Sequence, residues 1–411
     1  MRRRPGKGER LKNKPDGLFF NQGFAPKRRK SRYRSAELEV RRACLSERFG
    51  MEERMKKKTI FGGMAAAVPL LLLAGEAAFF YYYSVVRFPE KKKEKTERQL
   101  RREERKRAKK PRARFEETVQ EGVRWFLGQE PELVSITSYD GLKLCAYYLP
   151  AEGTKKEPST AQDKPDFADA GGKAPAAGSG EAARPAKNIL LLMHGYRAGG
   201  LTDFAGLYRF YHEQGYSLLV PFQRSHGLSE GKYICFGVKE RYDCRDWAEY
   251  AVRLAGKDCN LYLSGISMGC ATVLMAAGLP LPSNVRAIIA DCGFTSPKEI
   301  LKTVLKRDYH LPAFPLMNLT ELLTRWRAGF GYRDASTLDA MKNCRIPVLF
   351  IHGEKDDFVP VQMTLDNYMA CSAPKELLIV PGAAHAAASL QDPEGYQRTA
   401  LAFLKKYEAK E

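Results

Sequence analysis

NLYLSGISMGCATVLMAAGL, residues 260–279, is the stretch on which the fold turns. It opens as an apolar run with the character of a buried strand and closes as an apolar helix. Between the two stands Gly265-Ile266-Ser267-Met268-Gly269, a G-x-S-x-G turn in a strand–turn–helix context. So tight a turn brings backbone segments together, which glycine permits, and it lifts Ser267 Oγ to the apex beside a helix N-terminus. A bare G-x-S-x-G also reads as a glycine-rich turn with a solvated serine. The strand before it and the helix after it favour a nucleophile.

Apolar runs recur on both sides, at 132–138, 142–149, 188–195, 217–222, 285–294, 346–353 and 376–382. Helical patterns fall between or after them, at about 202–214, 238–255, 268–279, 297–328, 360–371 and 393–407. Near-continuous apolar runs suit strands buried on both faces, and their alternation with helices predicts an α/β doubly wound architecture around a mostly parallel sheet. The first two runs, joined at Tyr139-Asp140-Gly141, read as a β-ribbon.

Chemistry in such sheets sits at the carboxyl ends of the strands. After the 188–193 run comes His194-Gly195-Tyr196, where backbone amides can join that of Met268 in holding an oxyanion. Tyr196 and Met268 are the expected amide pair, with His194 as a loop support. After the 346–351 run comes His352-Gly353-Glu354-Lys355-Asp356-Asp357, with Asp356 and Asp357 competing as the acid that orients a histidine. A neutral serine needs a base nearby. Of the six histidines, 194, 212, 226, 310, 352 and 385, only His385 follows both serine and acid on a loop after the last strand, in the chain order serine, acid, histidine.

With these motifs the chain resembles the α/β-hydrolase superfamily, over about residues 120–407 without an insertion at 151–187. It looks most like bacterial membrane-anchored hydrolases of the serine-aminopeptidase-like (S33-type) group, whose likeness extends to QRSHGLSEGKYICFGVKERYDCRDW at 223–247. In that group H-G-x-x-D-x-x-V-P carries the triad acid, which implies Asp356. Asp291, after the 285–290 run, is an alternative that some hydrolases use. Gln223 departs from the pattern, which often has Asp there. The resemblance implies a catalytic set of Ser267, Asp356 and His385 that needs no metal and no organic cofactor. A serine nucleophile argues against the dehalogenase and epoxide-hydrolase branches. The superfamily also inserts a lid where residues 296–331 stand, and Phe314, Leu316 and Met317 are its candidate acyl-pocket residues.

Charge is unevenly spread along the 411 residues. Residues 1–58 hold 20 Lys/Arg and 7 Asp/Glu, residues 87–115 hold 15 and 5, and residues 116–411 hold 33 and 35. The formal charge of +20 is therefore carried by two tails, and no specific nucleic-acid partner is expected. Between the tails, residues 59–86 are 28 residues whose one charged side chain is Glu76. A span needs about 20, so this run is expected to be an uncleaved transmembrane helix, with Phe79–Tyr83 as an aromatic belt and lysine clusters at both ends. Basic flanks on both sides leave the orientation undecided. The expected domains are a basic tail at 1–58, the span at 59–86, a charged stalk at 87–115 that could meet anionic lipid or an envelope polymer, and a hydrolase domain at 116–411. The stretch 151–187, rich in Ala, Gly, Pro, Ser and Lys, is expected to be disordered. The basic residues before Met51 or Met55 read as an extension upstream of a natural start.

The nine cysteines show no metal-finger spacing. They read as reduced and structural, with a Cys235–Cys244 disulfide as an alternative outside the cell. The functions these features support are, in order, a membrane-anchored esterase, lipase or thioesterase acting on an acyl or lipid-like substrate, a peptidase or aminopeptidase, a non-catalytic scaffold, and a polyanion-binding protein.

Overall fold

The computed structural model describes residues 71–87, 114–153 and 187–409. The expected tail at 1–58, most of the stalk, most of the 151–187 insertion and the first part of the expected span lie outside the described residues. Helix α1 occupies residues 71–85, and α2 is Glu116–Gly128. Strand β1 (Glu132–Thr137) and strand β2 (Lys143–Leu149) follow as an antiparallel hairpin, with Gly141 at φ +85° in its turn. Then come β3 (Asn188–Met193), α3 (Tyr208–Glu213), β4 (Tyr216–Pro221), α4 (Glu240–Ala255), β5 (Asn260–Ile266), α5 (Met268–Ala276) and β6 (Val285–Asp291). After these come α6 (Pro297–Asp308), α7 (Leu316–Ala328), α8 (Thr337–Lys342), β7 (Val348–Gly353), α9 (Val361–Ala370), β8 (Lys375–Val380), α10 (Ala388–Gln391) and α11 (Pro393–Lys406).

The strands form one eight-stranded sheet in the order β1-β2-β4-β3-β5-β6-β7-β8. Only the β1–β2 and β2–β4 pairings are antiparallel. Each expected apolar run is a strand of this sheet. Alternate side chains feed its two faces. Leu191, Met193, Leu261 and Leu263 face a core built with Trp247, Ala248, Val273 and Leu274. Leu190, Leu192 and Tyr262 face another with Phe126, Phe204, Tyr208, Tyr211, Tyr396 and Phe403. Leu190, Leu191 and Leu192 are fully buried, each side chain contributing about 1.5–3 kcal/mol.

β3 lies between β4 and β5, so the chain leaves β3 to one side and β5 to the other. That reversal opens a crevice at the carboxyl ends of these two strands. A third apolar cluster covers that end, drawn from α6, α7, residues 234–238 and α1.

Several boundaries differ from the sequence reading. The helical pattern at 297–328 is two helices, because Pro312 and Pro315 cannot continue one. Residues 202–207 are turns, and the helix expected there starts at Tyr208. β6 stops at Asp291, since Cys292 takes a φ of +47° outside strand geometry. Cys235 and Cys244 are buried free thiols, not a disulfide. Among the described residues no helix is long and apolar enough to cross a membrane. The described part of the expected span, from Leu72 onward, belongs to the same compact unit as the sheet. Phe80 and Tyr81 of the expected belt are buried in the third cluster, while Phe79, Tyr82 and Tyr83 are exposed.

Candidate active site

Ser267 sits between β5 and α5 with φ 57° and ψ −115°, a conformation costly for any side-chain-bearing residue. The flanking glycines make it attainable. A Cβ on Gly265 would stand 2.3 Å from the Gly269 carbonyl oxygen, and one on Gly269 would stand 1.8 Å from that of Met193. Both contacts are with backbone, so neither can be relieved by a side-chain rotation. The Ser267 amide donates to the Asp291 carbonyl at 2.9 Å, tying the elbow to the end of β6.

His385 follows β8 on a turn that packs over the end of β7, where the Lys355 amide donates to the Ala383 carbonyl at 2.8 Å. Its Nε2 is 3.0 Å from Ser267 Oγ, and its Nδ1 is 2.7 Å from Asp356 Oδ2. Asp356 Oδ1 accepts the amides of Phe358 and Val359, each at 2.9 Å. Its Oδ2 also lies 3.0 Å from His352 Nε2. Burial alone would raise this carboxyl. The hydrogen bonds and charges of His352 and His385 outweigh it and hold Asp356 well below the usual carboxylate range. Asp357 points to solvent and contributes only its carbonyl, to Arg307. His385 Nδ1 faces Asp356 and not Asp291, whose buried carboxyl is pushed up to about 6 by desolvation, partly offset by His352 and His385. Cys292 is the close neighbour of this pair, its Sγ within 4.8 Å of the acceptor atoms of Asp356 and His385.

The loop after β3 lies against the elbow. A Cβ on Gly195 would touch Ser267 Cβ at 3.3 Å, so the loop approaches the serine at van der Waals distance. The Gly195 amide donates to Asp203 Oδ2 at 2.7 Å. Among the described residues no acceptor takes up the Tyr196 or Met268 amide. His194 and His226 are bracing groups. His194 Nε2 accepts the Gln223 amide, and His226 Nε2 accepts that of Arg197, both at 3.0 Å. Burial lowers His194 and, with His194 nearby, pushes His226 down to about 3, so both rings stay neutral acceptors. Gln223 reaches both sides of the crevice: its Nε2 donates to the His194 carbonyl and its Oε1 accepts from Thr272 Oγ1 at 3.1 Å.

The lid residues separate. Leu316 and Met317 are buried in the cluster that includes Met268, Phe236 and Phe294. Phe314, just before α7, is 75% exposed and lies outside that cluster. Sequence reasoning passed over His352, Thr364 and Asp203 as parts of the site. His352 Nδ1 is 2.7 Å from Thr364 Oγ1. The one available sign was the histidine four residues before Asp356.

The prolyl oligopeptidase family matches residues 235–411. An uncharacterized protein of Bacillus subtilis (strain 168), YqkD, is 30% identical over 217 residues, which are 53% of this chain and 71% of that protein. Among solved structures, the esterase Pf2001 of Pyrococcus furiosus is 19% identical with a TM-score of 0.49, covering 69% of this chain and 94% of that one. Est1E of Butyrivibrio proteoclasticus, solved with ferulic acid bound, is 18% identical with a TM-score of 0.47, covering 67% and 99%. The strand order, the elbow between β5 and α5, and the relationship to YqkD lead to one statement: the chain belongs to the α/β-hydrolase superfamily, in one family with YqkD, and is a serine hydrolase.

Proposed function

We propose that this hydrolase cleaves carboxylic esters or related acyl bonds with Ser267 as nucleophile, His385 as base and Asp356 as orienting acid. The observation that carries the reading is the unbroken hydrogen-bonded line from Ser267 Oγ through His385 to Asp356. His385 Nε2 takes the serine proton as Oγ attacks the acyl carbon. Asp356 holds the tautomer that keeps Nε2 free and stabilises the imidazolium. The uncommitted amides of Tyr196 and Met268 receive the oxyanion, each such donor being worth about 10²–10³ in kcat. His385 then returns the proton to the leaving group, and water repeats the sequence on the acyl-enzyme. No step requires a metal or an organic cofactor.

The finer placing in the serine-aminopeptidase-like (S33-type) group rests on the 223–247 loop. A peptidase is the second reading, favoured by the prolyl oligopeptidase match. Residues 59–86 would hold the enzyme at a membrane, beside acyl or lipid-like substrates, with the 87–115 segment meeting anionic lipid or an envelope polymer. Its first part, residues 59–76, falls within the range of about 17–25 residues that can cross a bilayer, so the C-terminal part can pack on the domain while the rest spans. Fluorophosphonate labelling of the full chain tests the core of the proposal. Wild type should label, and Ser267→Ala and His385→Ala should not. A folded wild type that stays unlabelled favours a scaffold. Acyl esters against aminoacyl amides then separate esterase from peptidase.

A further inference from the structure

We infer that Tyr196 and Arg197 are positioning residues through which helix α1 sets the oxyanion loop, so that turnover depends on the N-terminal helix being docked. The inference rests on the proposed role of the Tyr196 amide. The last carbonyls of a helix have no partner within it. At the end of α1 two of them, those of Tyr83 and Ser84, are taken by the loop after β3. Tyr196 Oη donates to the Ser84 carbonyl at 2.8 Å. The Arg197 guanidinium donates to the carbonyls of Tyr83 at 2.8 Å and Val86 at 3.0 Å. A cation there also suits the negative end of the helix, and the guanidinium lies 5.6 Å from the Tyr83 ring centroid.

These bonds converge on a backbone that needs holding. Arg197 has a φ of +54°, which an arginine adopts only under constraint. The constraint on one side is the His226 acceptor for its amide. On the other it is α1, which reaches the loop only because its own position is pinned. The Ile234 amide donates to the Val85 carbonyl and the Arg87 amide to the Lys232 carbonyl, each at 2.8 Å. The Arg87 guanidinium donates to the carbonyls of Ser229 at 2.7 Å and Gly227 at 2.8 Å. Phe80 supplies the apolar part of the docking, buried and edge-on to Tyr309 at 5.7 Å. The Tyr196 ring, stacked on Phe236 at 5.4 Å, extends the same surface. Thus the residue that offers the oxyanion amide is fixed at its side chain by α1.

The test uses full-length protein and two readouts: the second-order rate of fluorophosphonate labelling, and kcat and KM for p-nitrophenyl butyrate. Arg197→Ala should lower kcat and the labelling rate about tenfold or more with little change in KM, and Arg197→Lys should recover part of the loss. Tyr196→Phe, which keeps the amide and the ring, should give a smaller fall in kcat. Phe80→Asp, on the helix and outside the site, should lower kcat in the same way. Combined with Arg197→Ala it should add little, because both variants break one coupling. Thermal melts verify that the domain stays folded. If Phe80→Asp leaves kcat and labelling at wild-type values, or if the two losses multiply, α1 does not set the loop. If wild type itself does not label, the serine-hydrolase mechanism fails first and this inference with it.

Discussion

Asp356 accepts two backbone amides on one oxygen and faces two imidazoles with the other, so its charge is fully hydrogen-bonded despite its burial. Its proton affinity is depressed in the folded state, so between the folded value and the unfolded value of about 3.9 the unfolded chain binds more protons. The stability it lends is therefore complete above that unfolded value and is lost as pH falls through the folded one. Urea melts from pH 2 to 6 should show wild type losing stability on acidification more steeply than Asp356→Asn. A second prediction concerns Gln223, which donates to a carbonyl and accepts from a hydroxyl in one buried position. Gln223→Glu cannot make the first bond and buries a charge, at a cost of about 1–3 kcal/mol or more. Thermal melting should fall by several degrees, and an unchanged melting temperature would contradict the bracing role. Elimination among six histidines points to His385, whose ring lies between Ser267 and Asp356. The choice between neighbours Asp356 and Asp357 rested on a resemblance, since what turns Asp356 inward is a pair of amides two and three residues on. His352 was passed over because its partners, Thr364 and Asp356, meet only after β7 and α9 have packed.

The strands were the legible elements, because being buried on both faces makes their apolar runs nearly continuous. Helices were less so. α8 is six residues long, too short for a helical period to emerge, and α2 stands directly after the charged run read as a stalk, where no separate helix was expected. The break between α6 and α7 was written in Pro312 and Pro315, but the apolar periodicity on both sides of it masked it. α6 has the clearest start signal of the lid. Ser296 Oγ accepts the Glu299 amide at 3.2 Å, with Pro297 in the first turn and Glu299 at the third position. Ser296→Ala should cost about 1 kcal/mol, typical of a lost cap, and lower the melting temperature by about 2–4 °C for a domain of this size. Ser296→Asp should retain most of the stability. A larger loss in Ser296→Ala would mean that the side chain does more than cap, since Thr337 and Ser336 meet the neighbouring Thr295 carbonyl.

At the scale of the whole chain, two different forces could bring this enzyme to a membrane, and ionic strength separates them. The tails at 1–58 and 87–115 carry net charges of +13 and +10, from 20 − 7 and 15 − 5, while residues 116–411 carry −2, from 33 − 35. Attraction of the tails to anionic lipid acts within a Debye length, about 8 Å at physiological salt and about 3 Å at 1 M. Burial of the apolar run at 59–76 in hydrocarbon does not weaken with salt. The proposed anchor therefore predicts that full-length protein stays in the membrane fraction through washes in 1 M NaCl and is released only by detergent. Replacing Leu70, Leu71 and Leu72 by Asp should release it, because each acidic residue near the centre of a span costs about 2.5–3.5 kcal/mol. Leu71 and Leu72 are exposed and precede the docked residues of α1, which run from Leu73 to Val85. The released protein should then retain its fluorophosphonate labelling rate, which separates anchoring from loop setting. Stripping of the wild type by salt alone would assign attachment to the basic tails and remove the span from this protein.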